Sequence, residues 1–247
     1  PVAHWVWGGG WLSAMGVMDF AGGTVVHVNA GVAALVAAIV LGRRRGFPQT
    51  AMLPHNMTMT VTGAAMLWVG WFGFNAGSAV AADGVAGMAM LVTHISAAAG
   101  ALTWMIVEWI RHGRPGALGA VTGMVAGLGT ITPASGFVGP MGALIIGASA
   151  GFTCYWATQL VKQRWVIDDS LDVFSVHGVG GALGMLLTSV FVISSLGGAG
   201  LPQGVSLASQ FGVQALAVMA AAAWSALISY LALKVAGAVV PLRVEVD

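Results

Sequence analysis

The side chains in this sequence best suited to chemistry are two histidines, His27 and His177, each set inside a long apolar stretch. Ionisable groups at membrane depth are costly and face an interior, a cavity or one another. His94 also falls in an apolar stretch, with Glu108 near the end of the same one. His4, His55 and His112 fall at or outside such boundaries, where a solvated or capping histidine is the plain expectation. A neutral imidazole carries one donor and one acceptor. Two in contact share one proton and line a narrow path, able to take up a proton or to pass hydrogen bonds to a small polar solute. The rival chemistry is a metal site, which usually wants three or more ligands. Neither histidine has a Cys or carboxylate at ligand spacing, and there is no His-Glu-x-x-His motif. A hydrogen-bonded structural role is the alternative for each.

The stretches that hold them set the fold class. Charged residues make up 7% of the 247-residue chain and apolar ones 58%, against about 25% charge in a soluble domain. That is too little charge to cover a water-facing surface, so the surface is expected to face lipid. A spanning helix takes roughly 20 mostly apolar residues. Seven are predicted, at about 20–42, 57–79, 85–110, 117–136, 140–161, 173–195 and 207–240, and residues 1–247 read as one all-α, polytopic transmembrane helix bundle. With alternating spans, Arg43, Arg44, Arg45, Arg111, Arg114, Lys162, Arg164 and Arg243 share one side, and Lys234 can snorkel towards it. The other side holds no Lys or Arg. Such an excess marks the cytoplasmic side, so the Arg-rich loops and the carboxyl terminus are expected there. A net charge of +1 offers no footprint for nucleic acid. The single cysteine, Cys154, cannot form an internal disulfide, and the 37 glycines suit close helix packing in lipid.

The two histidine segments show a weak internal symmetry. Small residues stand three and four positions after each histidine, and an acid precedes each, Asp19 in one case and Asp172 in the other. The two spans are expected to run in opposite directions, the pattern of an inverted repeat with its site near the midplane.

Longer strings carry a more specific resemblance. Trp7-Gly8-Gly9-Gly10, Asp19-Phe20-Ala21-Gly22-Gly23-Thr24-Val25-Val26-His27, Gly70-Trp71-Phe72-Gly73-Phe74-Asn75-Ala76-Gly77-Ser78, Ile131-Thr132-Pro133 and Asp168-Asp169-Ser170-Leu171-Asp172-Val173-Phe174-Ser175-Val176-His177-Gly178 occur in that order. Over nearly its whole length the chain resembles the Amt branch of the Amt/Mep/Rh ammonium transporter family. The resemblance implies an eleven-span homotrimer with one pore per subunit, of which this chain, expected to be a fragment, supplies the fifth to eleventh spans.

Residue by residue, the resemblance implies that His27 and His177 line the pore as a pair. Trp7, Phe74 and Ser78 would recruit ammonium at an outer aromatic site, with Phe74 also half of a gate. Asp19 and Trp71 would support that site. No metal, cofactor or enzymatic activity is implied. The substrate would be ammonium or ammonia, the location the cell (inner) membrane, and the cytoplasmic partner a PII-type regulatory protein docking on the loops at Arg43–Arg45 and Arg111–Arg114. Alternatives on the same fold are an ammonium sensor with a downstream signalling domain and a gas channel of the Rh type; an intramembrane enzyme is a third reading.

Overall fold

The computed structural model describes residues 1–244. Two short helices, α1 (Val2–Trp7) and α2 (Trp11–Ala14), precede the first long element. That element opens as a π-helical segment, Gly23–Val28, and continues as α3 (Asn29–Leu41). Then come α4 (Met57–Gly77), α5 (Gly84–His112), α6 (Ala117–Ile131) and α7 (Pro140–Gln159), the last running on as a π-helical end, Leu160–Arg164. A second π-helical opening, Phe174–Val179, leads into α8 (Gly180–Phe191), and α9 (Leu207–Val239) follows. Among the described residues there is no β-strand.

Several helices start where a side chain satisfies otherwise free N–H groups. Asn56 accepts from Met59, Asp83 from Val85 and Ala86, and Ser206 from Ser209. Pro140 occupies the first turn of α7, where its missing donor costs nothing. The left-handed Gly113, at φ +75°, ends α5.

Among the described residues, six helices are long and apolar enough to cross a bilayer. The fourth predicted span, 117–136, is shorter than expected. Its helix stops at Ile131 after 15 residues, about 22 Å of rise against a hydrocarbon core of about 30 Å. Pro133 follows at once and cannot donate to a continuing helix. The irregular backbone beyond it is covered by protein, which makes it tolerable at depth. Ile131, Ala134 and Val138 pack against Val92 of α5 and Ile146 of α7.

α5, α6 and α7 form the most extensively packed layer. α4 lies at the margin and leaves Met59, Met66, Leu67 and Val69 exposed, a face that water would not tolerate in a soluble monomer.

Where basic residues touch other groups, they gather at one end of the bundle. Arg243 donates to the carbonyls of Leu41 and Arg43 at 3.0 and 2.8 Å. Lys162 pairs with Asp172 at 2.7 Å, and the Arg111 guanidinium lies 4.8 Å over the Trp156 ring. Residues 245–247, on which the expectation for the carboxyl terminus falls, lie outside the described residues.

Candidate functional site

The two histidine-bearing elements cross antiparallel, with main chain pressed on main chain. A Cβ placed on Gly31 would fall on the Gly178 backbone, and one placed on Gly181 would sit 2.8 Å from His27 Cβ. Gly31 and Gly181 each stand four residues after their own histidine, so each leaves room for the opposite element.

Both histidines sit in π-helical turns opened by a buried acid. Asp19, 5% exposed, accepts from the amides of Gly22 and Thr24 at 2.9 and 2.8 Å, from the Gly23 amide, and from the Thr24 hydroxyl at 2.6 Å. Its counterpart is Asp169, which accepts from the amides of Val173 and Phe174 at 2.9 and 2.8 Å. Asp19 and Asp169 each precede their histidine by eight residues. The sequence reading paired Asp19 with Asp172 instead. Asp172 takes a left-handed φ of +57°, which turns its carboxylate away to Lys162.

His27 Nδ1 and His177 Nδ1 lie 3.1 Å apart, with ring centroids 5.1 Å apart and planes 23° apart. Trp71 stacks on His27 at 5.5 Å and 13°, and lies 6.4 Å from His177. Phe74 stands 5.9 Å from His27 and 5.5 Å from Trp71. These four rings border a cavity of about 720 Å³ whose other walls include Val26, Met66 and Leu67. Water is poorly held among such walls, so a polar solute there has few partners besides the imidazoles. The sequence placed Trp71 in support of an outer site; it lies against Phe74, a residue of that site, and against both histidines.

Trp7 is half-exposed and donates from Nε1 to the Asp19 carbonyl at 2.7 Å. Ser78 lies one turn beyond Phe74 and donates to the Phe74 carbonyl at 2.7 Å. The structure therefore joins His27, His177, Trp71 and Phe74 in one cluster and ties Trp7 to Asp19. His94 lies apart, exposed and against Trp68 at 5.2 Å. Glu108 accepts from the Gly116 amide at 2.7 Å and from Trp104 Nε1 at 3.1 Å, at the start of α6. Among the described residues no three His, Cys, Asp or Glu side chains converge as a metal site.

Sequence reasoning assigned no role to two residues that hold this cluster. Thr132, fully buried, faces His27 Nε2 at 3.1 Å and accepts from Trp71 Nε1 at 3.0 Å. Its only signal was its place in the Ile131-Thr132-Pro133 string. Gln214, also fully buried, donates to the carbonyls of Met18 and Met185 at 2.7 and 3.0 Å and accepts from the Met18 amide at 2.8 Å. It thereby pins the residue before Asp19 from a helix almost two hundred positions away. An amide inside an apolar span was the visible sign.

At the basic end, Arg44 donates from Nε and Nη2 to Asp168 at 2.8 and 2.7 Å. The fork borders a cavity of about 390 Å³ shared with Leu41, Ser170 and Arg243. Its hydrogen bonds hold the Asp168 carboxyl below the usual carboxylate range. A lowered folded value means that the stabilisation is present above the unfolded carboxylate pKa of about 3.9 and is lost as pH falls through the lowered value. The thermal stability of the detergent-solubilised protein is expected to fall on acidification through that range. In Asp168→Asn this part of the pH dependence should vanish.

The sequence profile of the Ammonium Transporter Family matches residues 1–247. The chain is 46% identical to an ammonium transporter of Bacillus subtilis over 245 residues, 98% of this chain and 60% of that protein. To the ammonium transporter Amt1 of Archaeoglobus fulgidus it is 46% identical over 249 residues, 99% of this chain and 62% of that one. Among solved structures it superposes on a protein described as a sensor Amt protein with a TM-score of 0.91 at 34% identity, covering 99% of this chain and 62% of that one. Against Mep2 of Saccharomyces cerevisiae the TM-score is 0.87 at 38% identity, covering 100% of this chain and 57% of that one. The chain thus spans about three fifths of the length of these relatives. The Bacillus and Archaeoglobus relatives are named as ammonium transporters rather than as enzymes, and the helical fold of the two solved structures is the fold seen here. A profile match over every residue and identities near one half in two relatives leave one conclusion: this multi-pass membrane chain belongs to the Ammonium Transporter Family.

Proposed function

We propose that the protein moves ammonium across the cell (inner) membrane, with His27 and His177 lining the path. The observation that carries this reading is the 3.1 Å contact between the two Nδ1 atoms beside an apolar cavity. An ion pays a large desolvation cost among such walls, whereas neutral ammonia needs only hydrogen-bond partners. NH4+ is recruited at the outer aromatic site by the ring faces of Trp7 and Phe74, which attract a small cation, and by the Ser78 oxygen. At Phe74, half of a gate that adjoins the imidazoles, it gives up its proton to the histidine pair, and ammonia passes on along His27 and His177. Asp19 and Trp71 hold the surrounding backbone and rings. The relatives named as ammonium transporters support this choice of substrate.

Residues 1–247 serve as the carboxyl-side part of one transmembrane unit, which works as a homotrimer. Its Arg-rich loops and carboxyl terminus face the cytoplasm, where Arg43–Arg45 and Arg111–Arg114 offer a docking surface to a PII-type regulatory protein.

The intact protein in proteoliposomes, given an inward ammonium gradient, should produce saturable flux above that of empty vesicles. Flux equal to that of empty vesicles would sink the transport reading. The likeness to a sensor Amt protein favours a second reading, an ammonium sensor on the same fold. Ammonium binding without flux would select it.

A further inference from the structure

The hydrogen positions at the histidine pair follow from one hydroxyl. Thr132 Oγ1 lies 2.8 Å from the Leu128 carbonyl oxygen. Two oxygens that close need a hydrogen between them, and the carbonyl has none to give, so the hydroxyl hydrogen is committed to Leu128. Trp71 Nε1 can only donate, and it takes one lone pair of Oγ1 at 3.0 Å. The third neighbour, His27 Nε2 at 3.1 Å, meets the remaining lone pair and must donate to it. A neutral His27 then has a bare Nδ1. The 3.1 Å contact between the two Nδ1 atoms requires one hydrogen, which must come from His177 Nδ1. His177 Nε2 is left bare. Among the described residues it has no hydrogen-bond partner, and it is not among the sealed, unpartnered polar atoms.

We infer that Thr132 is a positioning residue that fixes the proton order of the pair and makes His177 Nε2 its single port. The inference deepens the proposed function and rests on it for its meaning in transport. When an ammonium ion gives its proton to His177 Nε2, the N–H bond electrons stay on nitrogen as the lone pair of ammonia. The Nε2 lone pair forms the new N–H bond. His177, now cationic, can pass its Nδ1 hydrogen to the bare Nδ1 of His27. The relay ends there, because the His27 Nε2–H faces an oxygen whose own hydrogen is already given to Leu128. The proton leaves by the way it came. The pair is a one-ended store rather than a through-wire.

The test is nitrogen NMR of the intact protein in lipid with 15N-labelled histidine, the His27 and His177 signals assigned by single substitutions at the other histidines. The expected native pattern is His27 protonated at Nε2 with bare Nδ1, and His177 the reverse. Thr132→Ser, which keeps the oxygen, should retain it. Thr132→Val, which removes the acceptor, should lose it in favour of the opposite order or a mixture. A native His27 protonated at Nδ1 overturns the inference, and so does an unchanged pattern in Thr132→Val. If Thr132→Val does not fold, the native and Thr132→Ser spectra decide, and a Thr132→Ser pattern unlike the native one counts against it. The spectra need no gradient. Absent flux with the stated proton order overturns only the transport reading; the opposite order with intact flux overturns only this inference.

Discussion

Replacing His27 by Ala is expected to lower ammonium flux by roughly 5- to 150-fold, the span of about 1–3 kcal/mol. The change removes the acceptor of the His177 Nδ1 hydrogen and one of the few polar groups along the cavity. A buried donor left unpaired costs about 1–3 kcal/mol, and a migrating ammonia molecule loses a hydrogen-bond partner over the same stretch. Trp71, which stacks on His27 at 5.5 Å, also loses its support, so the selectivity of what passes should change with the rate. Flux at matched protein levels in proteoliposomes, for ammonium and for methylammonium, measures both. A variant with native rate and native selectivity would remove the histidine pair from the mechanism.

Asp19→Ala is expected to have the second largest effect, through the backbone rather than the pore. The carboxylate satisfies the amides of Gly22, Gly23 and Thr24 and the Thr24 hydroxyl in a buried setting. Free amides at a helix start that lose a buried partner cost about 1–3 kcal/mol each, so with three such amides the turn carrying His27 should destabilise by about 3–9 kcal/mol. Hydrogen exchange of these amides should accelerate by at least about a hundredfold, with smaller changes at the Val173 and Phe174 amides under Asp169. Asp19→Asn, which keeps one acceptor oxygen, should fall between. Native protection in Asp19→Ala would show that the turn stands without its acid.

Much of this was readable from residue types alone. Long apolar runs without charge have one stable backbone solution in lipid, so the spanning helices were predicted within a few residues of where they lie. His27 and His177 stood out because an ionisable group in such a run needs a partner, and opposed span directions allowed them to face each other. Other features were hidden for identifiable reasons. The end of α6 at Ile131 depends on the covered turn after Pro133, which hydropathy reads as a continuing span. Asp169 and Asp172 look alike in sequence; only the left-handed φ of Asp172 tells which one reaches the next turn. The π-helical openings differ from α-helix by too little over six residues for apolar periodicity to register. Thr132 is one hydroxyl among many in this chain, and its importance lies in a count of lone pairs around one oxygen.

The glycine crossing has a mechanical consequence. Bilayers vary in thickness and lateral pressure, and helices in them tilt and slide to match. Where two helices touch through long side chains, such motion is absorbed by new rotamers and the spacing drifts. Gly31 and Gly178 have no rotamers to change. The imidazole separation is therefore clamped by covalent geometry and steric contact at the fulcrum of the two spans. Strain from a thicker or thinner membrane should then be taken up at the far ends of α3 and α8, and the gap between His27 and His177 should stay the same in each.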